Sequence, residues 1–567
     1  MTNSLDEFVR GNRIAYFSME IALDNAIPTY SGGLGVLAGD TVRSAADLEI
    51  PMVAVTLVSR MGYFRQEIDA RGRQVEHADP WDPASKAVPL SAMVAVDISG
   101  RPVWIRSWLY ILKGYSKGRQ PVILLDSDLE QNNSEDRQLT HFLYGGDTRY
   151  RLKQEVILGI GGIRMLRALG FEIRQYHMNE GHSALLGIEL MRRYAFRRED
   201  LHDGELPYNI PRVRGMCNFT THTPVEAGHD RYPYEMVQEV LGDELNLASL
   251  KQLGGNEVFN MTRVALNLSE YINGVAKHHA EISSNMFPGY HMHAITNGVH
   301  PYTWTCSSFT HLYDHYLPGW CHEPSLLTRA DCCIPDEELW KAHCEAKQAM
   351  IDRIKSMTPV TLDPALPVIG FARRMTAYKR SDLLFTDLDR LVAIAGKYPF
   401  QVVLSGKAHP RDEGGKQLIE KLHQYARNLS DNITLVYLPN YDLDIALLMV
   451  SGADIWLNTP LRPLEASGTS GMKASFNGVP SLSILDGWWL EGCIEGVTGW
   501  AIGNSGDDSN SNDALSLYDK LEQVVLPMYH GDRSAWISVM KGAISKNASY
   551  FNTHRMMRRY ATEAYLF

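Results

Sequence analysis

Short apolar runs alternate with longer amphipathic stretches along most of the chain. Residues 14–19 and 52–58 are apolar runs of strand length. Between them lie the glycine-rich turn Tyr30-Ser-Gly-Gly-Leu-Gly35 and a helix-compatible stretch at 36–48. Strand, turn, helix and strand make a βαβ unit. The same alternation predicts strands at 122–125, 173–178, 216–220 and 293–296, and helices at 149–169, 183–194 and 261–279. Polar residues collect just after the strands, as Asn179-Glu-Gly-His182, Thr221-His-Thr-Pro-Val-Glu226 and Asn297-Gly-Val-His300. In open parallel sheets that edge is where ligands bind.

Periodicity weakens from 301 to 366, where short helices at 302–322 and 334–356 read as a connector. It then resumes, with strands expected at 367–371, 400–404, 433–438, 455–457 and 480–484, a helix beginning within 372–380 and another at 444–450. The division this predicts is an α/β domain over 1–300, a helical connector over 301–366, a second α/β domain over 367–545 and a closing helix over 546–567. The expected fold class is α/β, two doubly wound Rossmann-like domains facing across a cleft that would hold the site.

The most informative stretch is Glu465-Ala-Ser-Gly-Thr-Ser-Gly-Met-Lys-Ala-Ser-Phe-Asn-Gly478. Its small residues let a phosphate approach the backbone at a helix start, and the hydroxyls of Ser467, Thr469 and Ser470 add donors. A helix beginning near Met472 places Lys473 in its first turn, where the dipole disfavours a cation unless an anion or a covalent partner compensates. An anion cradle beside an amine suits a phosphate ester, or a cofactor carrying both a phosphate and an aldehyde. A second basic group, Arg373-Arg374 with Lys379-Arg380, follows a strand and suits a free phosphate. Two phosphates held together allow a proton to pass between them. Trp304, Tyr378, Tyr441, Trp488 and Trp489 suit either sugar faces or a protein core. Glu180, Glu226, Glu465 and Asp486 are the carboxylates that a glycosidase mechanism would draw on.

Composition narrows the class without naming it. The 567 residues are 45% hydrophobic and 21% charged, an ordinary balance for a globular chain with more than one core. A formal charge of −11 with no basic run argues against a nucleic-acid partner. No apolar run reaches bilayer-spanning length and the first ten residues carry no apolar leader core, so no membrane partner and a cytoplasmic location are expected. The seven cysteines are expected as reduced thiols. Cys321-His322, Cys332-Cys333 and His343-Cys344 lack paired ligand spacing, and no metal is expected there.

Taken together, these segments resemble the α-glucan phosphorylases (glycogen, starch and maltodextrin phosphorylases), in the shorter branch found in bacteria and archaea. Residues 465–473 are similar to that family's pyridoxal-phosphate lysine motif. The match continues in order through Tyr30-Ser-Gly-Gly-Leu-Gly35, Arg151-Leu-Lys-Gln154, Asn179-Glu-Gly-His182, Thr221-His-Thr-Pro224, Thr296-Asn-Gly-Val299, residues 372–380 and Asn440-Tyr441. The resemblance implies the two-domain GT-B fold and pyridoxal 5'-phosphate as cofactor. It also implies reversible, retaining phosphorolysis of α-1,4-glucan ends by inorganic phosphate to give glucose 1-phosphate. By the same resemblance Lys473, Arg374, Lys379 and His222 are catalytic. Lys473, Gly468, Thr469, Ser470, Tyr441 and Arg373 would surround the cofactor. Gly33, Leu34, Gly35, Asn297, Tyr378, Glu465 and Ser467 would surround the substrate. The partners implied are the glucan with inorganic phosphate or glucose 1-phosphate, with a homodimer left open. Two departures stand out: Val36 and Asp442 occupy positions where the longer animal and plant enzymes carry basic residues. A nucleotide-sugar glucosyltransferase of the same architecture and a catalytically silent glucan-binding protein stay open as alternatives.

Overall fold

The computed structural model describes residues 3–197, 199, 207–242, 246–503 and 510–566, and most of the polar stretch 503–512 lies outside the described residues. Its strands in chain order are β1 (Ile14–Phe17), β2 (Met52–Leu57), β3 (Arg65–Ile68), β4 (Gln74–His77), β5 (Val88–Ile98), β6 (Arg101–Lys113) and β7 (Arg119–Asp126). They continue as β8 (Gln175–Asn179), β9 (Cys217–Thr220), β10 (Arg231–Tyr232), β11 (Phe259–Asn260), β12 (Tyr271–Gly274) and β13 (His293–Ala294). The last six are β14 (Val368–Ala372), β15 (Gln401–Ser405), β16 (Thr434–Leu438), β17 (Ile455–Asn458), β18 (Ser481–Ile484) and β19 (Gly499–Ile502).

Two units are present. The first comprises Met1–Tyr63, Ala78–Ile295 and Met557–Phe567. Its sheet runs β13-β12-β9-β8-β1-β2-β7-β6-β5. The strands from β13 to β7 are parallel, whereas β6 and β5 extend the sheet antiparallel. Numbered by appearance, the parallel strands lie in the order 3-2-1-4-5-6-7. The second unit comprises Phe64–His77 and Thr296–Met556. Its sheet, β16-β15-β14-β17-β18-β19, is wholly parallel and has the order 3-2-1-4-5-6. This is the doubly wound order, in which the direction of winding reverses beside the first strand.

Burial explains why the strands read as continuous apolar runs. Every residue of β1, β2, β14 and β15 is buried, as expected where helices cover both faces. The β5–β6 hairpin, which no periodicity announced, has a wetter β5 with only Val96 and Ile98 fully buried.

Several expectations from the sequence need correction. The helix expected at 261–279 is a helix Met261–Asn267, the strand β12, and a helix Lys277–Met286. Tyr271, Ile272 and Asn273 pair with β9 instead of continuing the helix, a case where tertiary pairing overrides local propensity. Residues 149–169 do form one rod, but it relaxes to a π-turn at Ile157–Gly161. There a Cβ on Gly159 would sit 2.6 Å from the Leu186 nitrogen. Residues 372–380 hold only the single turn Ala377–Lys379.

The unit boundaries also differ from the division read from the sequence. Residues 301–366 group with the second unit, and their long helix Asp336–Met357 sends His343 and Lys347 into a buried cluster with Asp454. The hairpin of β3 and β4 belongs to the second unit, and the last residues of the chain belong to the first. Among the described residues no helix is long and apolar enough to cross a membrane.

Candidate functional site

In a doubly wound sheet the ligand crevice lies at the carboxyl ends of the strands flanking the reversal. In the second unit those strands are β14 and β17. The chain leaves β14 directly into Arg373 and Arg374, and leaves β17 into the loop carrying Glu465. Glu465 Oε2 accepts hydrogen bonds from Arg373 and from Lys379, both at 2.5 Å, and all three side chains are largely buried. Burial pushes the Glu465 carboxyl up, but the two cations outweigh burial and bring it down to about 2. The Lys379 ammonium also lies 4.4 Å from the centre of the Tyr378 ring. Burial raises the Tyr441 phenol, and nearby Arg373 works in the opposite direction. Arg373, Lys379, Glu465, Tyr378 and Tyr441 therefore lie in one cluster.

Arg374 stands apart. It is exposed, and no carboxylate is seen against it among the described residues. Arg380 is structural: it donates to the Thr459 and Pro460 carbonyls and pairs with Asp513.

The loop from Glu465 to Lys473 is pinned from below. Asp486 accepts the Glu465 N–H at 2.9 Å, and Ser467 O accepts the Trp488 N–H at 2.8 Å. Gly468 has φ +76, the left-handed region where a side chain is disfavoured. Among the described residues the Ser467 hydroxyl is buried without a partner, and Thr469 caps no helical N–H with its side chain. Ser470 is already engaged, its oxygen accepting from Trp456 Nε1 at 3.0 Å. The helix that follows is shorter than a dipole argument needs. It spans Ser470–Ser475, six residues, with Lys473 fourth rather than in a first turn of many. Lys473 is 6% exposed, with its ammonium 3.7 Å from the centre of the Trp304 ring. Asn477 ties the two, donating to both the Trp304 and the Lys473 carbonyls. Trp304, Trp488 and Trp489 are buried core residues, so the sugar-face reading does not hold for them.

Two further turns of the second unit carry positions singled out in the sequence. Asn440 exchanges hydrogen bonds with Gln66, N–H to side-chain oxygen in both directions, at 3.0 and 2.8 Å. Asp442, the departure from the longer enzymes, caps the next helix by accepting from the Ile445 N–H at 2.9 Å. Asn297 is buried, and Arg555 holds its turn by donating to the Thr296 and Asn297 carbonyls at 2.7 and 2.8 Å.

In the first unit the reversal falls between β1 and β8. His222 donates through Nε2 to Asn179 Oδ1 at 2.7 Å, and its N–H donates to Glu180 Oε2 at 2.8 Å. Burial, with smaller contributions from His279 and His177, lowers the His222 pKa to about 3, so the ring is neutral. Glu180 itself sits at φ +74, a strained backbone held by the strand end. Gly33, Leu34 and Gly35 open the helix Gly33–Asp47. The residue that sequence reasoning missed here is Glu20. It is 1% exposed and accepts from the N–H groups of Ser31 and Gly32. Its only signal in the sequence is a carboxylate just past a strand end. All seven cysteines are free thiols; Cys321 is buried, and Cys332 and Cys333 lie side by side with sulfurs 3.6 Å apart.

Each sheet is doubly wound and carries polar or charged side chains at its reversal, as α/β proteins that bind ligands there do. A family model described as carbohydrate phosphorylase matches residues 242–495. Over 97% of its length the chain is 39% identical to the maltodextrin phosphorylase of Thermococcus litoralis, covering 70% of that protein. It is 35% identical to the glycogen phosphorylase of Aquifex aeolicus, covering 86% of that protein, and 36% identical to that of Mycobacterium tuberculosis, covering 70%. The chain belongs to the carbohydrate phosphorylase family.

Proposed function

We propose that this enzyme is an α-glucan phosphorylase of GT-B type. Inorganic phosphate would cleave the terminal α-1,4 link of a glycogen or maltodextrin chain, with retention, to give glucose 1-phosphate. The relatives named as maltodextrin and glycogen phosphorylases support the substrate class. The observation that carries the reading is the buried pair Arg373 and Lys379, bridged by Glu465 at the reversal of the second sheet. Two cations against one carboxylate leave a positive excess suited to an anion.

The residues present fit pyridoxal 5'-phosphate. A phosphate needs donors, and among the described residues the buried Ser467 hydroxyl has no partner and the Thr469 side chain caps no helical N–H. The aldehyde needs a primary amine, which Lys473 supplies from a largely buried position. Lys473, Gly468, Thr469, Tyr441 and Arg373 would hold the group, with Ser470 contributing backbone. When bound, it supplies a phosphate able to exchange a proton with the substrate phosphate.

Arg374, with no carboxylate against it among the described residues, and Lys379 would grip the substrate phosphate, which competes with Glu465 for Lys379. Glu465, Tyr378 and Asn297 are assigned to the sugar, and Ser467 to the sugar or the cofactor phosphate beside it. Neutral His222 offers a ring nitrogen or its carbonyl as an acceptor for a sugar hydroxyl. Gly33, Leu34 and Gly35 offer first-turn N–H groups to an anion. In the bond exchange, phosphate gives a proton to the departing glycosidic oxygen as the bond to C1 breaks. A phosphate oxygen then closes on the oxocarbenium-like C1, so no carboxylic acid pair is required. A cytoplasmic setting suits the seven free thiols.

The test is to incubate the purified chain with maltodextrin or glycogen and inorganic phosphate, and to assay glucose 1-phosphate. An absorption spectrum before and after borohydride, with mapping of the reduced peptide, tests the cofactor. The reading expects glucose 1-phosphate and a reduced label on Lys473. Free glucose with no dependence on phosphate, or a chain without chromophore, would overturn it.

A further inference from the structure

We infer that Glu20 is a positioning residue that sets the glycine-rich turn for phosphate, an inference resting on the activity proposed above. One side-chain carboxylate ties together three separate pieces of the first unit. Oε2 accepts from the Ser31 N–H at 2.6 Å, the Gly32 N–H at 3.3 Å and the Ser31 hydroxyl at 3.1 Å. Oε1 accepts from the Tyr144 hydroxyl at 2.9 Å and again from Ser31 Oγ at 3.2 Å.

The backbone around Glu20 is fixed in turn. Ser18 Oγ donates to the Glu20 carbonyl at 2.8 Å, and the Met19 N–H donates to His182 Nε2 at 2.9 Å. The carboxylate is thus anchored to the carboxyl ends of both β1 and β8, the strands that flank the reversal.

The turn is cut to fit this carboxylate. A Cβ on Gly35 would lie 2.6 Å from Glu20 Oε2 and 2.7 Å from the Tyr30 Cβ, so glycine is required there for space. On the other side, a Cβ on Gly33 would meet nothing within 4 Å. The turn therefore has a closed side filled by Glu20 and an open side at Gly33. The first bond within the helix runs from the Val36 N–H to the Gly32 carbonyl. Glu20 takes the N–H groups of Ser31 and Gly32, ahead of the helix. Those of Gly33, Leu34 and Gly35 are first-turn donors, which an incoming anion can use. A buried carboxylate that spends the earlier donors divides the turn between protein and ligand and holds the ligand's share in place.

The experiment compares the full-length holoenzyme with its Glu20→Gln, Gly35→Ala and Tyr144→Phe variants. Initial rates are measured against inorganic phosphate and, separately, against maltodextrin, with thermal midpoints and calorimetric binding of inorganic phosphate. A glutamine keeps the shape but cannot accept with its nitrogen and carries no charge. Glu20→Gln and Gly35→Ala are expected to raise the phosphate KM and weaken phosphate binding by about tenfold. The maltodextrin KM should stay within about twofold; the thermal midpoint should hold for Glu20→Gln and fall for Gly35→Ala, whose added methyl has no room. Tyr144→Phe, the mildest change, should move the phosphate KM in the same direction by a smaller factor. If the wild type turns over and binds phosphate while all three variants match it, the positioning role is wrong and the activity stands. If both KM values and the midpoint move together in every variant, including Tyr144→Phe, Glu20 is merely structural. A wild type that neither binds phosphate nor makes glucose 1-phosphate overturns the activity and this inference together.

Discussion

Lys379 donates to Glu465 Oε2 at 2.5 Å, in a site where the oxygen also receives Arg373. The carboxylate therefore stabilises two buried cations at once, and removing it leaves both uncompensated. Such a loss costs about 3–5 kcal/mol when partners are desolvated.

The same geometry has a pH signature. Burial alone would raise the Glu465 carboxyl, but Arg373 and Lys379 take it from 4.5 to about 2. A depressed folded value means that the stabilisation is fully present above the unfolded value and is lost as pH falls through the folded one. The window is thus from about 4.5 down to about 2, with a size of about 3 kcal/mol. Urea unfolding should show Glu465→Gln less stable than the wild type at neutral pH, with the gap closing as pH falls below 4. A gap that stays constant down to pH 2.5 would contradict the pairing.

Adjacent arginines should separate stability from function. Arg373 is buried against Glu465, whereas Arg374 is exposed and has no carboxylate among the described residues. Arg374→Ala is expected to leave stability within about 0.5 kcal/mol while raising the phosphate KM by about tenfold or more. Arg373→Ala should lower both stability and activity. Denaturation curves and phosphate kinetics on the two variants decide it; equal destabilisation by both would refute the distinction.

What could be read beforehand was local. The lysine loop, the basic pair after β14 and the strand-end histidines are each contained in a dozen residues, so spacing exposes them. The doubly wound order also follows from alternation of strand and helix. What was hidden depends on chain segments far apart. Glu20 gains its role from Ser31, Gly32 and Tyr144, the last of them 124 residues away. Tyr271 and Ile272 look helical until β9 is available to pair with them. Trp304, Trp488 and Trp489 have the composition of a sugar platform, but the fold places them in the core. Nothing in residues 65–77 announces that their hairpin joins the second unit through Gln66 and Gln74, which bond the Gly406 and Ala408 carbonyls.

His222 should be silent to titration in the physiological range. Burial takes its pKa to about 3, and its Nε2–H is committed to Asn179. Because the folded value is depressed for a base, the unfolded state binds the extra proton first. Stability therefore falls as pH drops below about 6.5 and continues to fall until about 3. Labelled imidazole signals followed by NMR from pH 8 to 5 should show no shift for His222. A titration midpoint near 6.5 would mean that the ring is solvated. Asn179→Ala should move that midpoint upward only if the hydrogen bond to Asn179 helps keep the ring buried.

Asp454 tests whether residues 301–366 belong to the second unit's core. His343 Nε2 and Lys347 Nζ, both from the helix Asp336–Met357, lie 2.8 Å from its two oxygens. All three side chains are nearly or fully buried, and Oδ2 also accepts the Val368 N–H at 2.8 Å. Burial would raise the carboxyl, but Lys347 and His343 take it down to about 2. The helix is thus bonded to the starts of β14 and β17 through one anion. Asp454→Asn keeps the volume but strands the Lys347 charge, and should cost about 3–5 kcal/mol. Hydrogen exchange locates the loss: if 336–357 is part of the core, its amides and those of β14 and β17 should lose protection together. Deprotection confined to the helix, with β14 and β17 unchanged, would show that the segment is an independent connector after all.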